Sequence, residues 1–508
     1  MDKFKPTLSR RGFNMASTTA TLALACGWGP QALAATETPK RGGTLRIART
    51  AAIDGFKLDG AIANETYEIS QAVMEPLLRY SADGKTVLPG LAESFVVAPD
   101  GKAILFTLQQ DATFSTGKKV TVEDVIFSVD QWKAGPNYGS VYALISSVDK
   151  INDRTFRFNL SSRNDSLPAF LTWSIAGIIP DKFGGQTADA FWLKPVGAGP
   201  FIVTDWEASG VINLVRNPYY YDKTRPYVDA IVSTLPDNNQ GVLQFRSGEV
   251  DIVSELVPVV ARRYPDARLV KAKYHYTDVL LFNTTIAPLN DLRLRRAMAL
   301  AVDYDAIVNG LYKGFGELPT GFLPPNVGMW APPSKPYFRQ NLSAARDLIK
   351  DAGLDGHAFE LTYPPSYGLL SEIIQQNLEK IGLKITLVPT DSGTFVANTS
   401  NGKFQLAVWS YNAISPNIGD PISFILSTSY FFTGYSPKTL QADLQTFFEG
   451  ATKTEQLKAV AAMQDEGSDE VPFVALDHYQ ISTAVGAKIH GVQSPPWGNI
   501  YYDTIWIS

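Results

Sequence analysis

The spacing of apolar and polar positions changes along the chain. From residue 36 to about residue 200, segments such as 43–48, 103–108 and 155–160 alternate with the period of two that is typical of strands. One helical stretch interrupts them, beginning after Thr121 with Asp124 as a capping partner. Its predicted apolar face consists of Val122, Val125, Ile126, Val129 and Trp132.

From residue 286 to residue 480 the helical period dominates. Asp291 is predicted to cap a helix whose inward face is Leu294, Ala297, Met298, Ala301 and Val302. Asp303 begins another that stops at Gly314, and a helix over 343–352 is closed by Gly353. The proline-rich run 319–336 is predicted to be a long loop over the surface.

Strands and helices alternate between residues 359 and 409. Strands are predicted at 359–363, 383–387 and 404–409, with helices over 370–381 and around Phe395. This alternation predicts a mainly parallel sheet with helices on its faces, an α/β architecture. A ligand then belongs at the carboxyl ends of these strands, near 363–366, 389–392 and 409–412. Trp409 and Tyr411 would form either an aromatic wall of that site or part of the core, and the sequence leaves both open.

The first 34 residues have the pattern of an export signal. A basic start is followed by an apolar stretch from Met15 to Cys26 and by a small-residue cleavage site at 32–34. Arg10 and Arg11 fit a twin-arginine signal, with general secretion as the alternative. We expect a periplasmic protein, or a membrane-anchored lipoprotein if Cys26 is lipid-modified.

The composition of the chain argues against several classes of protein and of site. The chain has 508 residues and a net charge of −5, and without residues 1–34 the charge is −8. A mildly acidic chain without basic runs gives no reason to expect a nucleic-acid partner. Cys26 is the only cysteine, so a mature chain has no disulfide or thiolate site. No later stretch is long and apolar enough to predict a membrane span.

No catalytic, metal or cofactor motif is evident. The glycine patterns around Gly84 and Gly197 lack the remaining positions of phosphate-binding and dinucleotide-binding loops, and no nucleophile elbow is present. The four histidines show no ligand spacing. We expect Arg293, Arg295 and Arg296 to form a solvated helix face. The absence of such motifs favours a binding protein over an enzyme, although an active site assembled from distant residues need leave no local motif, and we expect no cofactor.

Nine segments in order resemble the family 5 solute-binding proteins of ABC importers, the dipeptide, oligopeptide and nickel receptor group. The matching segments are 42–45, 75–80, 88–94, 114–125, 199–201, 216–219, 247–252, 282–284 and 295–303.

This resemblance implies a two-lobed periplasmic-binding-protein fold of the class II type, with a strand-rich domain inserted in the N-terminal lobe. Domain I would comprise 35–78, 200–285 and 482–508, the inserted domain II 79–199, and domain III 286–481. It also implies a hinge, closure over the ligand and delivery to the permease subunits of an ABC importer in the inner membrane. We expect a monomer.

The resemblance transfers the family's ligand contacts only in part. Residues 409–421 resemble its binding stretch, which suggests Trp409, Tyr411, Asn412 and Asp420 as ligand contacts. Peptide receptors of the group carry an aspartate where this chain has Asn412, and dipeptide receptors carry an arginine in the segment that here spans 363–372. Neither is present.

On the first lobe, the resemblance implies ligand contacts from the loop after the first strand, at Ile53, Asp54 and Phe56. We expect a peptide or peptide-like ligand. An oligosaccharide, an opine-like conjugate or another small solute is the alternative on the same fold, and a secreted hydrolase is a distant one.

Overall fold

The computed structural model describes residues 38–508, apart from 54, 58–63, 82, 136–138, 165–166, 273–275, 326, 413–417, 423–424, 426–432, 450–451 and 494–499. The side chains of residues 140, 238, 420, 448 and 449 are also outside the description. The predicted signal segment 1–34 and Asp54 therefore lie outside the described residues.

The chain forms twenty-two described strands. In chain order they are β1 Thr44–Ala48, β2 Leu78–Tyr80, β3 Val87–Pro89, β4 Ala92–Val97, β5 Ala103–Leu108, β6 Ile145–Lys150, β7 Thr155–Leu160, β8 Phe201–Trp206, β9 Ile212–Arg216, β10 Ala230–Thr234, β11 Ile252–Leu256, β12 Arg268–Lys271, β13 Tyr276–Phe282, β14 Gly316–Glu317, β15 Ala358–Tyr363, β16 Lys384–Pro389, β17 Leu406–Asn412, β18 Phe473–Ala475, β19 His478–Tyr479, β20 Ser482–Val485, β21 Ile489–His490 and β22 Trp506–Ile507.

Fourteen α-helices are described. They are α1 Asn64–Val73, α2 Val122–Lys133, α3 Gly139–Ala143, α4 Leu167–Phe170, α5 Ala188–Leu193, α6 Asn238–Ser247, α7 Pro258–Ala261, α8 Leu292–Ala301, α9 Leu342–Ala352, α10 Gly368–Glu379, α11 Ser392–Ser400, α12 Gly419–Ile422, α13 Lys438–Glu449 and α14 Lys453–Glu470. No helix in the described part of the chain is both long and apolar enough to cross a membrane.

Two mixed sheets of seven strands organise the chain. The first has the order β12-β20-β11-β1-β10-β9-β8, and β1 pairs in parallel with both β10 and β11. The second has the order β14-β19-β13-β17-β15-β16, with β18 also on β13. We call the parts built on these sheets the first lobe and the second lobe.

The predicted mainly parallel character of the second sheet is wrong in part. Strands β16, β15 and β17 run parallel, as the alternation of strands and helices indicated. However, β13 pairs with β17, β18 and β19 in the antiparallel sense. The apolar run of β13 is that of a doubly buried strand, and such a run does not reveal the direction of its neighbours.

A separate antiparallel sheet of order β4-β5-β7-β6 lies in sequence between β1 and β8 of the first sheet. It has its own apolar core, in which Phe106, Phe156 and Phe158 are fully buried against helix α2 and the segment around Trp173. The domain division of the chain nevertheless stays a prediction.

The chain crosses between the two large sheets at two places within 200–508. One crossing joins β12 to β13, and the other joins β19 to β20. The crossings lie side by side, because Ala272 donates its N–H to Ile481 O and Gln480 Nε2 donates to Ala272 O. Strand β13, which the sequence placed before the boundary at 285, therefore lies in the second lobe. We call the paired residues Ala272, Gln480 and Ile481 the hinge.

Most predicted helix ends are confirmed. The Asp124 carboxylate accepts the N–H of Thr121 at 2.8 Å at the start of α2, and Asp291 accepts the N–H of Arg293 at 2.8 Å at the start of α8. Gly353 ends α9 in the left-handed conformation. Helix α10 ends at Glu379, two residues before the predicted end.

The expectation that three arginines of α8 share a solvated face is wrong for Arg295. This side chain is only 4% exposed, and its guanidinium donates to the carbonyls of Leu289, Glu470 and Val471. It therefore satisfies carbonyls at the end of α14, which otherwise lack helical partners. Arg293 remains half exposed.

Candidate ligand-binding site

The carboxyl ends of β15, β16 and β17 meet, as the sequence predicted for the second lobe. Thr390 after β16 donates its N–H to Tyr363 O at 2.9 Å, and the hydroxyls of Thr362 and Thr390 are 2.9 Å apart. The hydroxyl of Tyr367, which follows β15, lies 2.6 Å from Ser410 Oγ in β17. The three strand ends therefore form one continuous surface.

Trp409 lies at the centre of an aromatic wall on this surface. Its half-buried ring is 4.8 Å from that of Phe395, with an angle of 23° between the planes, and 5.6 Å from that of Tyr367. Helix α11 carries Phe395, and its N-cap Asp391 accepts the N–H of Thr394. Trp409 is thus held by neighbours on both sides, and part of its surface stays available for a ligand.

Tyr411 and Asn412 take different positions although they are adjacent in the chain. Tyr411 is 1% exposed and donates its hydroxyl to Phe322 O, so the structure places it in the core of the second lobe. Asn412 lies directly opposite Tyr276 of β13, hence on the same side of the sheet as that ring. Its Nδ2 is buried and has no hydrogen-bond partner among the described residues.

The remaining predicted contacts are spread over both lobes. Asp420 lies in α12, with its side chain outside the described residues. Ile53 and Phe56 are 3% and 1% exposed in the first-lobe core, and Phe56 packs edge-on against Trp206 at 5.4 Å. No described contact joins either residue to Trp409. Their contact with a ligand, like that of Trp409, Tyr411 and Asn412, stays a prediction.

Sequence reasoning missed a group of buried polar side chains beside the hinge. Glu255 Oε2 lies 3.3 Å from both Asn64 Nδ2 and Tyr276 Oη, and Asn64 also donates to that hydroxyl. Glu65 accepts from Thr50 Oγ1 at 2.6 Å. We call Asn64, Glu65, Glu255 and Tyr276 the acidic hinge cluster. It joins helix α1 and strand β11 of the first lobe to the first residue of β13 in the second.

Burial governs the proton equilibria of this cluster. It raises the pKa of Glu255 well above its ordinary value, and the nearby charge of Glu65 adds to the effect. Burial also raises the pKa of Glu65, and this effect exceeds the lowering that the hydrogen bond from Thr50 causes. It raises that of the neighbouring Glu68 to about 8. Each shift follows from the cost of a carboxylate charge in a medium that water does not reach.

A second pair of carboxyl groups lies in the second lobe. Asp278 and Asp477 are both fully buried, and Asp278 accepts from the hydroxyl of Tyr312. Burial raises the pKa of Asp278 to about 7, and burial together with the charge of Asp278 raises that of Asp477.

Among the described residues, no group of three or more histidine, cysteine, aspartate or glutamate side chains could hold a metal ion.

These acids left only a faint signal in the sequence. Asp278 is a single carboxylate within the apolar run of β13, and Glu255 lies within the almost wholly buried β11. A carboxylate inside a buried strand is unusual, and the irregularity of each pattern could have marked it. The partners could not have been found, because Glu65, Glu255 and Tyr276 are far apart in the chain.

The profile of the bacterial extracellular solute-binding proteins, family 5 Middle, matches residues 86–432. The match covers more than half of the chain. The chain therefore belongs to the family 5 bacterial extracellular solute-binding proteins, as the nine sequence segments indicated.

Known proteins of this class resemble the chain over most of its length. The dipeptide-binding protein of Escherichia coli K12 is 24% identical over 511 residues, which cover 91% of this chain and 94% of that protein. The structure of the Helicobacter pylori periplasmic binding protein DppA with the peptide STSA superposes with a TM-score of 0.82 at 20% identity, covering 92% of this chain and 98% of the other.

The structure of the periplasmic binding protein AgaA of A. tumefaciens R10 with agropinic acid superposes with a TM-score of 0.81 at 24% identity, covering 92% of this chain and 99% of the other. These superpositions confirm the predicted α/β, two-lobed periplasmic-binding-protein fold.

Proposed function

We propose that this chain captures a peptide or peptide-like solute between its two lobes and delivers it to the permease of an ABC importer. Family membership supports the receptor role. The name of the Escherichia coli relative and the peptide in the Helicobacter pylori structure support a peptide ligand. No part of this role requires chemistry on the ligand.

One observation carries the proposal in the structure itself. The aromatic wall of Trp409 lies at the open ends of β15, β16 and β17, and β17 is paired with β13, the strand that leaves the hinge. A ligand on this wall is therefore next to the part of the chain that a lobe movement bends. Aromatic rings with a few placed polar groups are typical of small-molecule sites.

The mechanism follows from this position. A ligand that contacts both lobes stabilises the closed arrangement, because it gains its full contact area only there. The movement is expected to occur at the hinge residues while the two sheets stay rigid. The closed form then presents to the permease a surface that the open form lacks.

The polar groups at the site bear on ligand class. Asn412 provides an amide where a carboxylate would pair strongly with an ammonium group, and segment 363–372 has no arginine for a ligand carboxylate. Both features argue against a strict receptor for free dipeptides, and they leave longer or modified peptides as ligands. The likeness to the structure with agropinic acid favours an opine-like conjugate as the second candidate.

We also propose that the chain is exported. The twin arginines, the apolar stretch and the cleavage site at 32–34 support removal of residues 1–34. Mass spectrometry of the protein purified from the periplasm is expected to give an N-terminus at residue 35. A lipid-modified N-terminus at Cys26 would replace cleavage at residue 34 with a membrane anchor.

A thermal-shift panel on residues 35–508 tests the ligand class. The panel contains dipeptides, longer peptides, amino-acid conjugates, oligosaccharides and nickel. At a ligand concentration about 1,000 times Kd, binding stabilises the folded protein by about 4 kcal/mol, which is easily detected. A shift with conjugates or sugars and none with peptides would contradict the peptide proposal. Recovery of the ligand in altered form would contradict the receptor proposal.

A further inference from the structure

The acidic hinge cluster brings together more carboxyl groups than the nearby cations of the protein can pair with. Glu65 and Glu255 are 5% and 9% exposed, and Glu68, on the same helix as Glu65, is 2% exposed. In the described part of the chain, Arg49 is the cation that interacts with Glu65. Its guanidinium already donates to Ser233 O, Ser233 Oγ and Gly210 O. A buried carboxylate without a cation is costly, so the cluster is incomplete as it stands.

Besides Glu68 Oε2 and Arg49 Nε, two polar atoms next to Tyr276 have no hydrogen-bond partner among the described residues. One is Oε1 of Glu255, whose other oxygen accepts from Asn64 and Tyr276. The other is Nδ2 of Asn412, which lies on the same side of the second sheet as Tyr276. A buried carboxyl oxygen, which can accept a hydrogen bond, and a buried amide N–H donor thus lie on either side of Tyr276. Unsatisfied buried polar atoms in a native protein indicate a missing partner.

The chemistry of that partner follows from the two atoms. A protonated amine donates to Glu255 Oε1 and supplies the missing positive charge. A carbonyl oxygen near the amine accepts from Asn412 Nδ2. An amine with a carbonyl group a few bonds away is the arrangement at the amino terminus of a peptide and in an amino-acid amide.

We propose that the acidic hinge cluster is the recognition site for the ammonium group of the ligand, with Glu255 as the residue that determines this specificity. The proposal deepens the proposed function and rests on it in one respect, the peptide nature of the ligand. The ammonium group would lie between a first-lobe carboxylate and a second-lobe strand, so its binding would hold the lobes together at the hinge.

Matched probes test the charge requirement. Alanine peptides of two, three and five residues are compared with their N-acetylated forms by isothermal titration calorimetry on residues 35–508. We expect at least tenfold tighter binding of the free amines by the unaltered protein. We expect Glu255→Gln to bind both forms alike, because the amide keeps the shape of the site and loses its charge. Equal affinity of the unaltered protein for both forms would overturn the proposal.

Glu75→Gln provides the matched control. Glu75 is also a buried glutamate, 6% exposed, but its carboxylate accepts from Tyr221 in a separate network. This variant is expected to keep the preference for free amines. Loss of the preference in both variants would show a general effect of removing a buried charge and would overturn the assignment to Glu255.

A stability measurement separates binding from structure. Because Glu255 has no described cation partner, Glu255→Gln is expected to unfold at the same temperature as the unaltered protein or higher in the absence of ligand. A residue that only supports the fold would instead lower the unfolding temperature when changed.

An independent probe covers the case in which no alanine peptide binds. That result would contradict the peptide part of the proposed function. Thermal shift with n-butylammonium chloride, with 1-butanol as the neutral control, then decides the present proposal. Stabilisation of the unaltered protein by the amine alone, lost in Glu255→Gln, would support it. Equal effects of amine and alcohol, or an amine effect kept in Glu255→Gln, would overturn it.

Discussion

At the residue scale, the two sides of the candidate site differ in chemistry. Trp409 offers an aromatic face between Phe395 and Tyr367, and its neighbours in the chain point to the opposite side of β17. That opposite side carries Ser410 and Asn412 and faces the polar groups of the hinge. A ligand that uses both sides must reach around the end of the strand.

Replacement of Trp409 tests the aromatic side. Trp409→Ala is expected to weaken ligand binding at least tenfold, because the ligand loses the main apolar surface of the site. The loss of a half-buried ring should reduce the free energy of unfolding by only about 2 kcal/mol, so the protein stays folded. Calorimetric titration and urea unfolding measure the two effects.

Trp330→Ala is the control for this variant. Trp330 is a half-buried tryptophan of the second lobe whose Nε1 donates to Leu323 O, and the site does not use it. It should lose similar stability and keep its affinity. If Trp409→Ala keeps its affinity within threefold, the assignment of Trp409 to the ligand-binding site is wrong.

At the element scale, the ends of helices hold the second lobe together. Helix α14 ends against α8, where Arg295 donates to the carbonyls of Glu470 and Val471. This contact ties two helices that are far apart in the sequence. The pattern of α8 already places Leu294, Ala297 and Met298 inward, and it does not show that a neighbouring arginine is buried as well.

Arg295→Ala is expected to lower the free energy of unfolding by about 3 kcal/mol, because buried carbonyls lose their donors. The exposed Arg293 provides the comparison, since Arg293→Ala should cost less than about 1 kcal/mol. Urea unfolding of both variants measures the difference. Similar losses in the two variants would mean that the buried hydrogen bonds of Arg295 contribute little.

At the scale of the whole molecule, buried carboxyl groups couple stability to pH. Glu68, Glu75 and Asp278 have pKa values raised by burial to about 8, 7 and 7. The unfolded chain releases these protons near pH 4, whereas the folded chain holds them up to pH 7 or 8. The folded state thus binds more protons in this interval, so stability is greatest at the acidic end and falls as pH rises.

Thermal and urea unfolding between pH 5 and pH 8 test whether stability falls as the pH rises. Each such carboxyl group contributes a slope of up to about −1.4 kcal/mol per pH unit within the interval. Glu68→Gln should make the slope shallower by the contribution of one carboxyl group. A ligand-free protein whose stability rises from pH 5 to pH 8 would contradict the protonated state of these groups.

Closure of the lobes is the second prediction at this scale. A saturating ligand is expected to reduce the radius of gyration in small-angle X-ray scattering, because bridging both lobes favours the closed form. Tyr276→Phe removes the hydroxyl that joins the second lobe to Asn64 and Glu255, and it should weaken binding about tenfold. An unchanged radius of gyration with bound ligand would contradict closure on binding.

Local patterns were sufficient for much of this protein. Capping residues and apolar spacing predicted α2, α8 and α9, and the alternation of strands and helices predicted the parallel strands β15, β16 and β17 with their ends together. These features depend on neighbours within a few turns of the chain, which is the distance over which spacing and capping act. The nine segments in order were enough to indicate the family.

Only the tertiary structure decided which polar groups meet. Pairings between distant segments decide three features. They are the antiparallel direction of β13, the burial of Arg295 and Tyr411, and the contact of Glu65, Glu255 and Tyr276 in one cluster. The physical reason is that strand direction and the burial of a charge are set by what packs against them, and a local pattern does not contain the packing partner. The sequence by itself determined the class of receptor, and the fold determined which buried acids meet beside the hinge.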